Sequence, residues 1–285
     1  MEGTFQVFFS ILSWTSVMVL VVLGLGVIAS MMGIFNFAHG DFMLLGGYTL
    51  YLFSVWGFPL WFGIVAAPIV VGIVGVILER TVIHRFYAAP IAAMLGTYAL
   101  GVIIRETVRG LIDGMYLRVP APMQGLVVVG DISIAEWRIA VLVISLLVLL
   151  GSYLLVNRTN FGLRVRASLE NPELARASGI STSQIYAVTF GFGAALAGLA
   201  GALMAPLLMF SADMGLKFLI QGFLAVMLGG IGTFEGPALG GAIIGAMASG
   251  LPYVLNPILA DVLVFVIAIV LVKFKPMGLV AKGRR

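Results

Sequence analysis

The stretch VLVISLLVLLGSYLLV, Val141 to Val156, decides the fold class. It carries no charge, and as a strand it would place apolar residues on both faces. A transmembrane β-strand alternates apolar and polar positions; this run does not. A helix needs about 20 mostly apolar residues to cross a hydrocarbon layer of roughly 30 Å. Comparable runs recur near residues 7–33, 41–58, 60–78, 92–109, 139–156, 184–207, 219–230, 236–250 and 258–272. The expected fold is all-α. It is a polytopic membrane helix bundle of nine segments, several short or broken, with eight as the alternative if one short piece is re-entrant.

Composition points the same way. Of 285 residues, 61% are apolar and 10% are charged, against about 25% charged in an average soluble domain. So little charge could not cover a surface exposed to water. The formal net charge is +4, but the basic residues stand at segment ends, where they act as topology signals and give no nucleic-acid patch. The chain has no cysteine and two distant histidines, so disulfides, thiolate chemistry and a metal site are not expected. MEGTFQVF lacks a basic n-region, and the first apolar segment reads as a retained span.

Orientation follows from the distribution of Lys and Arg. Residues 79–91, 157–183 and the tail from Lys273 hold 11 of the 16 basic residues, including Lys282, Arg284 and Arg285. These regions are expected on the cytoplasmic side, with the C-terminus inside and the N-terminus outside. Residues 110–136, with Pro120, Pro122 and Gly125, form an external loop expected to carry little regular structure. In the cytoplasmic loop 157–183, Asn171 stands as an N-cap, Pro172 as a first helical residue and Gly179 as a stop. A short helix over Pro172 to Ser178 is expected; a solvated, Arg-rich loop is equally compatible with the residues.

Two interruptions stand out. GIFNFAHGDF, Gly33 to Phe42, sets Asn36, His39 and Asp41 between two apolar segments. An ionised side chain facing lipid costs roughly 2.5–3.5 kcal/mol at a helix centre. A helix break lining a cavity, with Asp41 at a positive helix end, would reduce that cost; a cytoplasmic turn with Asp41 as N-cap is the plainer alternative. LGGIGTFEGPALGG, Leu228 to Gly241, is the second break. Paired Gly-interrupted breaks are the sequence pointer to a translocation path. In GFGAALAGLAGALMAP, Gly193, Ala197, Gly201 and Ala205 recur every four residues, the spacing that lets helices pack closely in lipid. Arg105 and Glu106 read as residues snorkelling to the interface, with pairing to neighbours near the outer end of the span as the alternative. Asp261 reads as a first-turn carboxylate, and His84 needs no special role.

No P-loop, HExxH or GxSxG occurs, no span carries an Arg series, and no nucleophile–base pair is visible. Passage remains: a carrier, a channel, or the membrane half of a pump powered elsewhere.

Three motifs then resemble one family. IFNFAHGDFMLLGGY (Ile34 to Tyr48), GLRVRASLENPELARASGI (Gly162 to Ile180) leading into AVTFGFGAALAGLAGAL, and VMLGGIGTFEGPALGGAIIGA followed by KPMGL are similar to LivH-type permeases of branched-chain amino acid ABC transporters. Their order and spacing agree over about residues 16–280. The resemblance implies one permease domain over 1–285, a second, LivM-like permease as heterodimer partner, two cytoplasmic ATPases and an extracytoplasmic substrate-binding protein. It implies the bacterial inner membrane, with no cofactor in this chain because the ATPases hold ATP and Mg, and no catalytic residue. It places Asn36, Phe37, His39, Asp41, Gly230, Thr233 and Glu235 on the translocation path or gate. It assigns ATPase coupling to Arg164, Arg166, Glu170, Asn171, Pro172, Glu173, Ala175, Arg176 and Gly179.

The family also includes urea and short-chain amide permeases. LGTYALGVIIRETVRGL (Leu95 to Leu111) resembles that branch, whereas MLGGIGTFEGP is closer to the amino-acid branch, which is favoured. The competing class is a stand-alone secondary transporter or channel, which would need His39 and Asp41 as a titratable coupling site.

Overall fold

A computed structural model describes residues 2–280 other than 34, 88, 130, 131 and 276. Lys282, Arg284 and Arg285 of the basic tail lie outside the described residues. The helices are α1 (Glu2–Met32), α2 (His39–Val55), α3 (Leu60–Thr81), α4 (Pro90–Leu111), α5 (Glu136–Arg158), α6 (Asn160–Glu170), α7 (Pro172–Ala177), α8 (Thr182–Met204), α9 (Met214–Gly229), α10 (Glu235–Gly250) and α11 (Pro257–Phe274). Each of the nine apolar runs forms a helix. Six of them, α1, α3, α4, α5, α8 and α11, are long and apolar enough to cross a membrane. The others, α2, α9 and α10, have 17, 16 and 16 residues, about 24–26 Å at 1.5 Å per residue.

Local chemistry sets the boundaries. Pro90 and Pro257 open α4 and α11, where a missing N–H costs nothing. Asn256 caps α11 by accepting from the Ile258 N–H at 2.9 Å. Gly230, at φ 97°, ends α9 in a conformation that favours glycine.

The bundle is organised around α1 and α8. Val17 to Leu23 and Ala194 to Met204 are almost wholly enclosed, while α3, α5 and α11 turn Ile69, Ile73, Leu147, Leu150, Val262 and Ile269 outward. Apolar side chains on the outside suit a bilayer, where the surface need not be polar. Backbones, not long side chains, meet around α8. A Cβ on Gly24 would come 2.6 Å from the Gly193 carbonyl oxygen, and one on Gly193 would come 2.7 Å from that of Gly24. A Cβ on Gly201 would collide with the Met43 carbonyl, and one on Gly46 with that of Gly198. The four-residue stripe thus splits between two neighbours, Gly193 against α1 and Gly201 against α2. Ala197 is buried among them, and Ala205 caps the helix by donating to the Gly201 carbonyl at 2.9 Å.

Two loop expectations need correction. The segment 110–136 is not structureless: β1 (Leu126–Val129) pairs antiparallel with β2 (Ile132–Ala135), Leu126 opposite Ala135. The β-branched residues of LVVV and ISIA favour that strand pair. In 157–183 the helix at Pro172 is present but is preceded by a second, α6, which the sequence reading left out.

Gly201→Val should therefore force α2 and α8 apart, since overpacking a close contact costs about 1–3 kcal/mol. Gly151→Ala is the control, because nothing lies within 4 Å of a Cβ there. Thermal unfolding in detergent should show a lower midpoint for Gly201→Val and none for the control.

Candidate functional site

The first break is deep. His39, the first residue of α2, places Nε2 2.9 Å from the Val21 carbonyl oxygen, so Nε2 carries the proton. Val21 stands eleven residues before the end of α1, about 16 Å along the helix axis. The start of α2 has thus doubled back from the end of α1. It lies beside the middle of α1.

Each polar residue of the motif holds this helix start in place. The Asn36 side chain accepts from the Ala38 N–H at 3.0 Å, and the Asn36 carbonyl accepts from the His39 N–H at 3.3 Å. The Phe37 N–H donates to Thr97 Oγ1 at 3.1 Å. Asp41 sits in the first turn of α2, where the dipole favours an anion. Its carboxylate accepts two hydrogen bonds from Arg105, Nε to Oδ1 at 2.9 Å and Nη2 to Oδ2 at 3.0 Å. Asn36 and His39 are fully buried, and Asp41 is 2% exposed.

Arg105 therefore does not snorkel; a bidentate carboxylate inside the bundle is a better partner than the interface. Thr97, Gly101 and Arg105 lie four residues apart on one face of α4. A Cβ on Gly101 would strike the Asp41 carboxylate. This receiving face was missed, although the spacing T-x-x-x-G-x-x-x-R is visible in the sequence. Glu106 instead pairs with Arg109 at 3.0 Å, and Arg109 reaches Asp213 at 2.8 Å.

The residues alternate across the break. Asn36 and Ala38 point inward, whereas Phe35 and Phe37 are partly exposed and meet Phe223 of α9, with ring centroids 5.3 and 4.8 Å away. Phe223 was also missed, since nothing local distinguishes it from other apolar positions of α9. Asn36 Nδ2 and His39 Nδ1 are buried without a hydrogen-bond partner among the described residues.

The second break is shallower. The Gly232 N–H donates to Ser30 Oγ at 3.1 Å, placing the turn beside the last residues of α1. Thr233 Oγ1 accepts from the Gly236 N–H at 3.1 Å, and Glu235 opens α10. Gly278 packs against Gly230, and the N–H groups of Leu279 and Val280 donate to the Leu228 and Gly229 carbonyls at 2.9 and 3.2 Å.

At the same end lies the arm formed by α6 and α7. Arg166 folds back: its Nη1 donates to the Val156 carbonyl at 2.9 Å and contacts Asn157 Oδ1 at 3.4 Å. Asn171 caps α7 by accepting from the Leu174 N–H at 2.9 Å, and Gly179 ends it at φ 80°. Arg164, Glu170, Pro172, Glu173 and Arg176 are exposed, as is the apolar Leu174 at 63%, while Ala175 is buried.

One minor expectation changes. Asp261 lies beyond the first turn of α11 and pairs with Lys217 of α9 at 2.9 Å. His84 Nδ1 is 3.2 Å from the Glu79 carbonyl oxygen at the end of α3. Nearby, the Tyr87 hydroxyl donates to Glu79 Oε1 at 2.5 Å; burial, then that carboxylate, pushes its phenol above the ordinary range.

A family profile described as branched-chain amino acid transport system / permease component matches residues 7–272. The chain belongs to that family. The permease protein BraD of the high-affinity branched-chain amino acid transport system of Pseudomonas aeruginosa is 27% identical over 281 residues, covering 92% of this chain and 91% of that protein. The corresponding LivH of Escherichia coli is 25% identical over 279 residues, with the same coverages. A probable branched-chain amino acid transport permease LivH of Methanocaldococcus jannaschii is 29% identical over 251 residues, covering 85% and 79%. The chain is thus a multi-pass membrane permease component, and both breaks and the arm fall within the region this family shares.

Removing one partner of a buried ion pair leaves the other charge uncompensated, at about 3–5 kcal/mol. Asp41→Asn and Arg105→Gln should each lower the unfolding midpoint sharply in detergent, and the double variant should recover part of the loss. Lys217→Gln, at an exposed pair, should change stability by less than about 1 kcal/mol. Single variants as stable as the parent would show that the break does not depend on this pair.

Proposed function

We propose that this chain is the transmembrane permease subunit of an ABC importer for branched-chain or other hydrophobic amino acids. It works with a second, LivM-like permease, two cytoplasmic ATPases that hold ATP and Mg, and an extracytoplasmic substrate-binding protein. The membrane is the bacterial inner membrane, and residues 1–285 serve as one permease domain. All nine apolar helices pass through or into it, with the N-terminus outside and the loop 157–183 and the C-terminus inside.

The observation that carries this reading is α7. A capped six-residue helix stands outside the apolar bundle and presents an exposed leucine flanked by Glu173 and Arg176. That surface suits a protein partner. Arg164 and Glu170 extend it, while Arg166 fixes α6 to the end of α5.

The path runs past Phe37, with Phe35 and Phe223 beside it, and past the turn of Gly230, Thr233 and Glu235. Asn36, His39 and Asp41 hold the first turn of α2, and the positive end of that helix favours the carboxylate of a passing amino acid. An aromatic lining favours apolar side chains over urea, and the branched-chain names of the relatives support the same choice. A proton- or ion-coupled carrier would need a free titratable group, and Asp41 is engaged on both oxygens by Arg105.

In a reconstituted complex, Leu174→Asp and Arg176→Glu should each reduce uptake at least tenfold. The ATPases should co-purify poorly while the second permease is retained. Undiminished uptake with ATPases still bound would remove α7 as the contact.

A further inference from the structure

Helices α5 and α10 both pack on α1 and leave a furrow between them. Leu146, Leu150, Tyr153, Phe234, Ala238 and Leu239 line it, with a volume of about 540 Å³ and almost no polar surface. Tyr153 and Phe234 meet edge to face at 5.9 Å. At Phe234 and Glu235 the furrow runs into a second cavity of about 210 Å³, which Ser30, Asn157, Arg166 and Thr233 also line. From Leu146 to Asn157 is eleven residues of α5, about 16 Å, which is the depth of one leaflet of a hydrocarbon layer roughly 30 Å thick.

The inner cavity is rich in unused donors. Asn157 lines it, and its Nδ2 is buried with no partner among the described residues. Among the described residues Arg166 bonds only through Nη1, leaving Nε and Nη2 open. The Ser30 and Thr233 hydroxyls accept from backbone N–H groups and donate to none of the described residues, so their protons remain available to a ligand. Among the described residues, the Glu235 carboxylate has no ion-pair or hydrogen-bond partner, although it shares the cavity with Arg166. Several donors around a guanidinium suit a phosphate; one free carboxylate beside them suits a primary ammonium. An amino acid could satisfy the two charges but would leave the leaflet-deep apolar furrow empty.

We infer that this groove is a phospholipid site. The phosphate of a phosphatidylethanolamine rests on Arg166 and Asn157, its ammonium on Glu235, and one acyl chain in the furrow between α5 and α10. A lipid held there would bridge the arm, through Arg166, to the second break, through Thr233 and Glu235.

The test titrates the delipidated full chain in detergent with palmitoyl-oleoyl phosphatidylethanolamine, phosphatidylcholine or phosphatidylglycerol and counts bound lipid by intact-protein mass spectrometry. One phosphatidylethanolamine should bind at least fivefold more tightly than either other lipid. Glu235→Gln should abolish the preference over phosphatidylcholine, whose quaternary ammonium cannot donate a hydrogen bond. Ala238→Trp, which fills the furrow, should lower occupancy by every lipid at least fivefold. Leu150→Trp, at an outward-facing position, should do the same and keeps the test valid if Ala238→Trp fails to fold. Equal occupancy by the three lipids, or unchanged binding in both tryptophan variants, would overturn the site. So would a complex with the second permease that excludes lipid from the groove, because the furrow would then be a subunit contact.

Discussion

A helix that begins inside a membrane protein must have its free N–H groups and nearby charges satisfied by protein, because hydrocarbon offers no partners. The start of α2 meets this constraint with the bidentate Asp41–Arg105 pair, the Asn36 turn and the Thr97 hydroxyl. Without a cation on α4, Asp41 would be a buried anion with only the helix dipole to compensate it. The depth of the break, the outward direction of Phe35 and Phe37, and the closeness of α2 to α9 all follow from anchoring that one helix end. A Cβ on either Gly40 or Gly215 would strike the other's carbonyl, so α2 and α9 meet at their own first turns.

The same constraint explains the glycines. Lipid tails are as apolar as leucine, so helices gain little by burying large side chains and gain more from close backbone contact. Gly24–Gly193, Gly46–Gly198, Gly40–Gly215 and Gly229–Gly236 are such contacts, on α1–α8, α2–α8, α2–α9 and α9–α10. They form a connected set running from the central helix to both breaks. Contacts of this kind have little room to slide, so α1, α2, α8, α9 and α10 are expected to move largely as one piece.

What could be read from sequence was set by locality. The nine helices were legible because each carries a mostly apolar run bounded by proline, glycine or charge. The hairpin was not, because its strands are only four residues each and stand next to a proline-rich stretch that dominates the reading. Helix α6 was hidden by its Arg-rich exposed face, with Gly162, Val165 and Ser168 as its only buried positions. The Asp41–Arg105 pair joins residues 64 apart, and no local pattern names a partner at that distance. The polar residues of the first break were picked out correctly as unusual. Their direction was not readable, because alternation along an irregular segment decides which side chains face inward.

The two breaks share glycines, a phenylalanine and one acid but little else in register, and they sit at different depths. One lies beside Val21 and the other beside Ser30, nine residues and about 14 Å apart along α1. Their connections to the arm differ accordingly. Arg166 and the second break line one cavity at the end of α1, so a displacement of α6 meets the Gly230–Glu235 turn directly. Among the described residues the first break has no such neighbour: a movement reaches it through the packed helices α1, α4, α8 or α9, each joined to it or to α2 by close contact or hydrogen bond. The shallow break is thus placed to respond first and locally, and the deep one only when the packed helices shift together. This difference argues against treating the two interruptions as equivalent halves of a symmetric gate.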